Sequence, residues 1–319
     1  MNNLVSCADY VLSGVMGNEI AKIIEEKMPS TGYSNLDSVC PLYSGLYVLG
    51  AVSSLGKTTF MNQMSYQIAT QGFHVVFFSY EQSRLELVSK SMSRLSYQLG
   101  TPVTALDIRH GSKQLETIAE QYVKVAKFEY VVESQFGDTV DNICVAVENF
   151  VKSGIKPVVI VDYLQIVSSK NSDQASFAKE NVDYTVKKLK NLQRKHNLVV
   201  FVVSSLNRQN YLTQIDFESF KESGGIEYTA DVVFGMQLKC MNESIFDGQA
   251  GLNKKRERVM KAKAENPRKI ELVCLKNRYA KSGYRCYFNY FPTYDYFEVC
   301  DVKRSADKSN DDDLLGRVE

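Results

Sequence analysis

Short, continuous apolar runs alternate along most of the chain with longer stretches whose apolar residues recur at helical spacing. From Tyr43 onward the runs 45–50, 73–80 (FHVVFFSY), 128–133, 157–162 (PVVIVD) and 198–205 (LVVFVVSS) read as strands. The intervening segments 57–70, 83–98, 113–126, 139–153 and 174–196 read as helices. A strand that is apolar at successive positions must be covered on both faces, so the pattern predicts a parallel sheet flanked by helices. A shorter strand at 231–238 follows, and then the texture changes. Segments 270–276, 284–290 and 294–299 are rich in Tyr, Phe and Val and separated by brief turns, which predicts antiparallel strands. The expected fold class is therefore α/β: a mostly parallel sheet flanked by helices, with antiparallel strands at the C-terminal end. Ligands of such sheets bind at the C-terminal ends of the strands.

Three segments depart from this alternation. Residues 4–28 carry apolar positions at helical spacing (Leu4, Ala8, Val11, Val15, Ile20, Ile23, Ile24, Met28), interrupted near Gly14 and Gly17. One apolar stripe with nothing local to bury it docks on a neighbour or packs on its own domain. Residues 1–30 thus read as a linker or oligomerisation region, ahead of a domain over 31–300. Within that domain, 241–269 shows no strand pattern and concentrates Lys254, Lys255, Arg256, Arg258, Lys261, Lys263, Arg268 and Lys269 against Glu257 and Glu265. It reads as a basic, solvated insertion, or as an electrostatic contact for nucleic acid. The tail 301–319 is polar, contains Asp311-Asp312-Asp313, and reads as disordered.

Composition narrows the setting. The 319 residues carry a net charge of +1, so no global field favours nucleic acid or membrane. No stretch approaches the roughly 20 apolar residues of a membrane span, and the first residues lack the basic start and apolar run of a signal peptide. Seven cysteines fall at scattered spacings without a C-x-x-C pair, as expected of reduced thiols in a cytoplasmic protein.

The chemistry concentrates after the first strand, where Ala51-Val52-Ser53-Ser54-Leu55-Gly56-Lys57-Thr58-Thr59 reads as a phosphate-binding loop. Gly56 lets a phosphate approach the backbone, and successive N–H groups form an anion nest at a helix start. Lys57 reaches the β- and γ-phosphates, and the Thr58 hydroxyl ligates Mg²⁺. The motif asks for Gly where the chain has Ala51. Two strands end in carboxylates: Glu81 follows Phe77-Phe78-Ser79-Tyr80, and Asp162 follows Val158-Val159-Ile160-Val161. Asp162 is placed to hold Mg²⁺ and Glu81 to polarise an attacking water. Either could instead simply cap the helix that follows.

Several blocks, in order, resemble the motor domain of DnaB-type replicative helicases. Thr31-Gly32-Tyr33-Ser34-Asn35-Leu36-Asp37 resembles the family entry T-G-[FY]-x-x-L-D, and a leading Ala as at Ala51 is common there. Phe78-Ser79-Tyr80-Glu81 matches F-S-L-E, and VVIVDYLQIV at 158–167 matches the segment holding D-Y-L-Q. Ser204-Ser205-Leu206-Asn207-Arg208 matches S-Q-L-N-R, and the run from Glu222 to Asp231 matches E-S-G-x-I-E-x-x-A-D. Lys276-Asn277-Arg278 with Gly283 matches K-x-R-N-G-P-x-G.

The resemblance implies a RecA-like P-loop NTPase core using ATP and Mg²⁺. It implies that Ala51, Ser53, Ser54, Gly56, Lys57, Thr58, Thr59 and Ser205 contact the nucleotide, with Thr58 and Asp162 on the metal. It makes Glu81 the catalytic base, and Arg278 an arginine finger with Lys276 its companion, both entering the site of an adjacent subunit. Lys221, Glu222 and Gly224 fall in the loop that holds single-stranded DNA, to which Arg208 and Tyr211 could add. Three positions depart from the family: Ser205 replaces a Gln that senses the γ-phosphate, Lys90 replaces an Arg, and Tyr279-Ala280-Lys281 replaces N-G-P.

The expected function is an ATP-dependent helicase or translocase: a homo-oligomer, expected as a hexameric ring, moving on single-stranded DNA during replication. A primase, a loader or other replication proteins are the expected partners, and a membrane is not. The alternative is a DnaB-like DNA-binding ATPase that recruits partners without processive unwinding. A RecA-type recombinase shares the fold but not the D-Y-L-Q, E-S-G-x-I-E and K-x-R blocks.

Overall fold

Residue alternation in the strands decides the architecture. In β1 (Gly45–Ala51), Tyr47, Leu49 and Ala51 enter one apolar layer while Leu46 and Val48 enter another, and all seven residues are buried. The computed structural model describes residues 6–134, 138–167, 178–207, 211–220, 224–247 and 251–300. Within them, a single nine-stranded sheet runs β3-β2-β4-β5-β1-β6-β7-β8-β9. The other strands are β2 (Val75–Ser79), β3 (Glu129–Glu133), β4 (Val158–Asp162), β5 (Val199–Ser205), β6 (Val232–Leu238), β7 (Arg268–Asn277), β8 (Arg285–Phe291) and β9 (Tyr296–Val299). Strands β1 to β6 pair in parallel, and β6 to β9 pair antiparallel. The expected fold class, strand set and antiparallel C-terminal end are all present.

The helices in chain order are α1 (Cys7–Leu12), α2 (Val15–Glu25), α3 (Ser34–Asp37), α4 (Lys57–Thr70), α5 (Arg84–Gln98), α6 (Ala105–Arg109), α7 (Leu115–Ala126) and α8 (Val140–Lys152). They continue as α9 (Ala178–His196), α10 (Gly224–Thr229), α11 (Ser244–Asp247) and α12 (Leu252–Ala264). Helix α4 covers the face shared with the C-terminal strands, where Phe60, Met61, Met64 and Ile68 pack on Tyr47, Phe288 and Phe297. Helices α8 and α9 cover the opposite face through Ile143, Val147, Val186 and Leu189. Local signals explain the starts: Ser83 and Glu86 form a reciprocal capping box that opens α5. The short α6, not anticipated from periodicity, opens on a like box from Thr104 and Asp107.

Two segments gain definition over their sequence reading. The basic stretch contains α12, whose Ala262 is buried and whose Val259 packs on the core, so it is not a wholly solvated insertion. Arg258 is held by Glu243 at 2.5 Å and by Glu265 at 3.6 Å. Neither α1 nor α2 buries any residue, and Val11, Leu12, Ile20, Ile23 and Ile24 are exposed. These helices therefore do not hide their apolar stripe on their own domain. The tail 301–319, Leu4, Arg208, Lys221 and Glu222 lie outside the described residues.

Because α1 and α2 bury nothing, deleting residues 1–25 is expected to change stability by less than about 0.5 kcal/mol in chemical denaturation. Leu189→Ala, at a fully buried position on α9, costs about 2–5 kcal/mol in the same assay. A loss of that size on deleting 1–25 would show that the helices belong to the folded core.

Candidate functional site

Register brings the chemistry together. Ala51 ends β1 level with Ser205 of β5 and Met236 of β6. Ser79 of β2 lies level with Asp162 of β4. The strands thus finish at one edge, where the chain leaving β1, β2 and β4 and the last residue of β5 contribute to a cavity of about 360 Å³. Ser53, Ser54, Gly56, Lys57, Thr58 and Thr59 line it from the candidate phosphate-binding loop, Ser205 from the end of β5, and Glu81 from the chain just beyond β2. Asp162 lies beneath, almost fully buried, and accepts a hydrogen bond of 2.6 Å from the Thr58 hydroxyl.

Gly56 is required on two counts. Its φ of 91° is left-handed, and an added Cβ would sit 3.0 Å from the rings of Phe297 and Tyr290. As N-cap of α4 it offers no side-chain acceptor, which leaves the first N–H groups of the helix to the cavity. The Lys57 ammonium reaches back to the carbonyl oxygens of Ala51 at 2.9 Å and Val52 at 3.5 Å. Ala51 itself is buried and contributes that carbonyl rather than its side chain. This donor set suits a polyphosphate: a helix start without a side-chain cap, one ammonium, and a hydroxyl–carboxylate pair of the kind that holds Mg²⁺ through oxygen. Among the described residues no group of three or more His, Cys, Asp or Glu could hold a metal alone.

Electrostatics agree with a site shaped for an anion and a cation together. Burial is the main cause that raises the Asp162 carboxyl to about 6, Glu81 adds to it, and the Thr58 bond opposes it. Burial lowers the Lys57 ammonium below its ordinary value, against the pull of Asp162 and Glu81.

Several participants were not named from sequence. Gln165, the Gln of D-Y-L-Q, donates to the Ser204 hydroxyl at 2.8 Å and accepts from the Ser205 N–H at 3.1 Å. It thereby sets the end of β5 that faces the cavity. Asp295 accepts from the Thr59 hydroxyl at 3.0 Å and pairs with Lys90 at 3.5 Å. Tyr290 stacks on Phe297 with ring centroids 4.2 Å apart and joins Gln82 and Tyr163 in the lining. Only the aromatic content of the last strands hinted at Tyr290.

Arg278 and Lys276 are not in this cavity. Asn277 between them pairs with Val232, which pairs with Tyr47 at the opposite end of β1. Four residues of strand, roughly 13 Å, separate that level from Ala51. There the Arg278 guanidinium donates to the Tyr228 carbonyl at 2.7 Å and pairs with Asp231 at 3.2 Å, while the Lys276 ammonium donates to the Glu227 carbonyl. Both cations thus satisfy the carbonyl end of α10, the helix that begins at Gly224.

Comparison with known proteins fits this geometry. Residues 29–298 match the family model described as DnaB-like helicase C terminal domain. The chain belongs to that family. It is 26% identical over 215 residues to the replicative DNA helicase DnaB of two Helicobacter pylori strains, covering 64% of this chain and 42% of each relative. The chain thus spans less than half the length of those relatives. Among solved structures, one described as an ATPase domain is similar over 93% of this chain and all of that one, at TM-score 0.73 and 15% identity. A DnaB-like replicative helicase described with its interactions with primase is similar over 93% of this chain and 67% of that one, at TM-score 0.69 and 16% identity. A KaiC-like protein of Pyrococcus horikoshii covers 86% of this chain and 99% of its own, at TM-score 0.55 and 16% identity, showing the shared RecA-like fold.

The raised Asp162 carboxyl carries a stability consequence. Its folded pKa of about 6 exceeds the ordinary 3.8, so its contribution is present below about pH 4 and is lost as pH rises through 6. Without nucleotide, Asp162→Asn is expected to stabilise the chain at pH 7.5 by about 2–3 kcal/mol. The gain fades to nothing near pH 4 in urea denaturation. A gain independent of pH would show that Asp162 is not held up by burial.

Proposed function

We propose that this chain is the motor of a DnaB-type helicase or translocase, hydrolysing ATP at the interfaces of a homo-oligomeric, hexameric ring that moves on single-stranded DNA. One observation carries the reading. The cavity gathers Lys57, the Thr58–Asp162 pair, Glu81 and Ser205 in one place, while Arg278 and Lys276 lie at the far end of the sheet. A cation out of reach of its own cavity serves a neighbour's when subunits repeat head to tail.

In this reading Lys57 gives up the Ala51 and Val52 carbonyls for the β- and γ-phosphates. Ser53, Ser54, Gly56 and Thr59 cradle the phosphates, and Ser205, set by Gln165, faces the γ-phosphate side. Thr58 and Asp162 hold Mg²⁺, with Asp162 ionised. Glu81 accepts the proton of an attacking water. Bound ATP supplies the anhydride whose hydrolysis drives movement, and Mg²⁺ neutralises its phosphates. The partner subunit's equivalent of Arg278 stabilises the developing charge, with Lys276 beside it.

Coupling to DNA runs through α10. The segment carrying Lys221, Glu222 and Gly224, together with Arg208, holds the DNA backbone through positive charge and main-chain donors. Lys276 and Arg278 grip the end of the helix that follows it, so movement at the finger is transmitted to the loop. Action in the cytoplasm with a primase or loader completes the proposal. Ser205, which brings a hydroxyl where the family has an amide, supports a second reading: a DNA-binding ATPase without processive unwinding.

The test is ATPase rate with and without single-stranded DNA, beside the mass of the assembly and unwinding of a forked duplex. The motor reading predicts an oligomer, stimulation by DNA, and unwinding that Lys57→Ala abolishes. It also predicts that Arg278→Ala keeps nucleotide binding but lowers turnover by about 10³-fold or more. Stimulation without unwinding selects the second reading, and a monomer indifferent to DNA contradicts both.

A further inference from the structure

A second cavity, of about 500 Å³, lies behind the phosphate-binding loop and plays no part in the proposed chemistry. Four elements supply most of its lining. Val52 and Leu55 belong to segment 51–59, Leu212 and Ile215 to the segment after β5, Met236 and Leu238 to β6, and the remaining wall is α12. Along α12 the lining residues are Leu252, Arg256, Val259, Met260 and Lys263, which recur at helical spacing and form one stripe. That stripe is apolar with two cations. Leu252 is 63% and Met260 72% exposed. Among the described residues neither Arg256 nor Lys263 has an ion pair or a side-chain hydrogen bond, whereas Arg258 on the other side of the helix pairs with both Glu243 and Glu265.

An apolar groove with unpaired cations calls for a ligand with apolar side chains beside carboxylates. The chain itself carries that sequence in Asp311-Asp312-Asp313-Leu314-Leu315, outside the described residues. Where the described chain ends makes the two meet. Val299 pairs with Phe288, Phe288 with Ile270, and Ile270 with Leu238, a single rung across the antiparallel strands. Leu238 lines the groove. The rung spans three strand spacings, about 14–15 Å. The eleven residues from Asp301 to Asp311 extend to roughly 36 Å, more than twice that span. We propose that residues 311–315 of the same chain occupy this groove, Leu314 and Leu315 against Leu252, Val259 and Met260, and the three aspartates on Arg256 and Lys263. A tail seated there touches Val52 and Leu55 on one side and the 211–215 segment on the other, so it acts on the nucleotide loop and the neighbouring loop together.

The chain of 319 residues tests this directly. A photo-crosslinking amino acid at position 314 is activated in a mixture of isotopically heavy and light chains, and the adducts are mapped by mass spectrometry. The expected adducts fall on α12 or residues 211–215, within one isotopic chain. Arg256→Glu with Lys263→Glu, a pair that leaves the unfolding temperature unchanged, reduces their yield by about tenfold. Combining that pair with Asp311→Lys, Asp312→Lys and Asp313→Lys restores it. Adducts scattered over the surface, adducts insensitive to charge reversal, or adducts only between heavy and light chains overturn the proposal. So does a chain ending at Cys300 whose affinity for an oligo-dT falls on the same charge reversal while the tail crosslink persists in the full chain, because the groove then belongs to nucleic acid.

Discussion

In-register parallel pairing around β1 is the constraint from which both working ends of the molecule follow. Ala51 is level with Ser205 and Met236, and Tyr47 is level with Val232 and, across β6, with Asn277. A slip of one residue would turn every buried side chain of a strand to the wrong face. Here both faces are buried, with Tyr47, Leu49 and Ala51 on one side and Leu46 and Val48 on the other. The register therefore cannot drift without exposing one apolar layer or overfilling the other. Segments far apart in sequence consequently finish at one edge.

The opposite edge is organised by a buried carboxylate. Asp231 accepts from the Leu46 N–H at 2.7 Å, from the Lys190 ammonium at 2.5 Å, and pairs with Arg278 at 3.2 Å. It thus ties the first strand, helix α9 and the end of β7 at one point. A buried charge is tolerated only where it is paired and hydrogen-bonded, as this one is. The same point fixes where the finger candidate sits relative to α10. The cavity at one edge and Arg278 at the other are joined through the paired strands β1, β6 and β7.

The strands and long helices were legible in the sequence because burial on both faces leaves unbroken apolar runs, and amphipathic helices leave a 3.6-residue period. That segment 51–59, Asp162 and Glu81 gather at one edge of the sheet was legible because each follows such a run. Gln165 and Asp295 were not: their roles arise from contacts across 39 and 236 residues of sequence, to Ser204 and Thr59, which no local pattern encodes. The basic stretch misled in another way. Six cations between Lys254 and Lys263 hid the apolar stripe of α12, since long basic side chains occupy a surface while their neighbours pack. The separation of Arg278 from the cavity needed the antiparallel register of β7, which composition cannot supply.

In the proposed motor a second copy of the chain completes the site. Mixing two inactive variants tests it most directly: Glu81→Gln, which keeps its finger, and Arg278→Ala, which keeps its cavity. Each alone should hydrolyse ATP at a small fraction of the parent rate. In an equal mixture about a quarter of head-to-tail interfaces join an intact cavity to an intact finger, and activity should return to a comparable fraction of the parent. If the mixture stays as inactive as its components while still assembling, Arg278 does not act across an interface and the account fails.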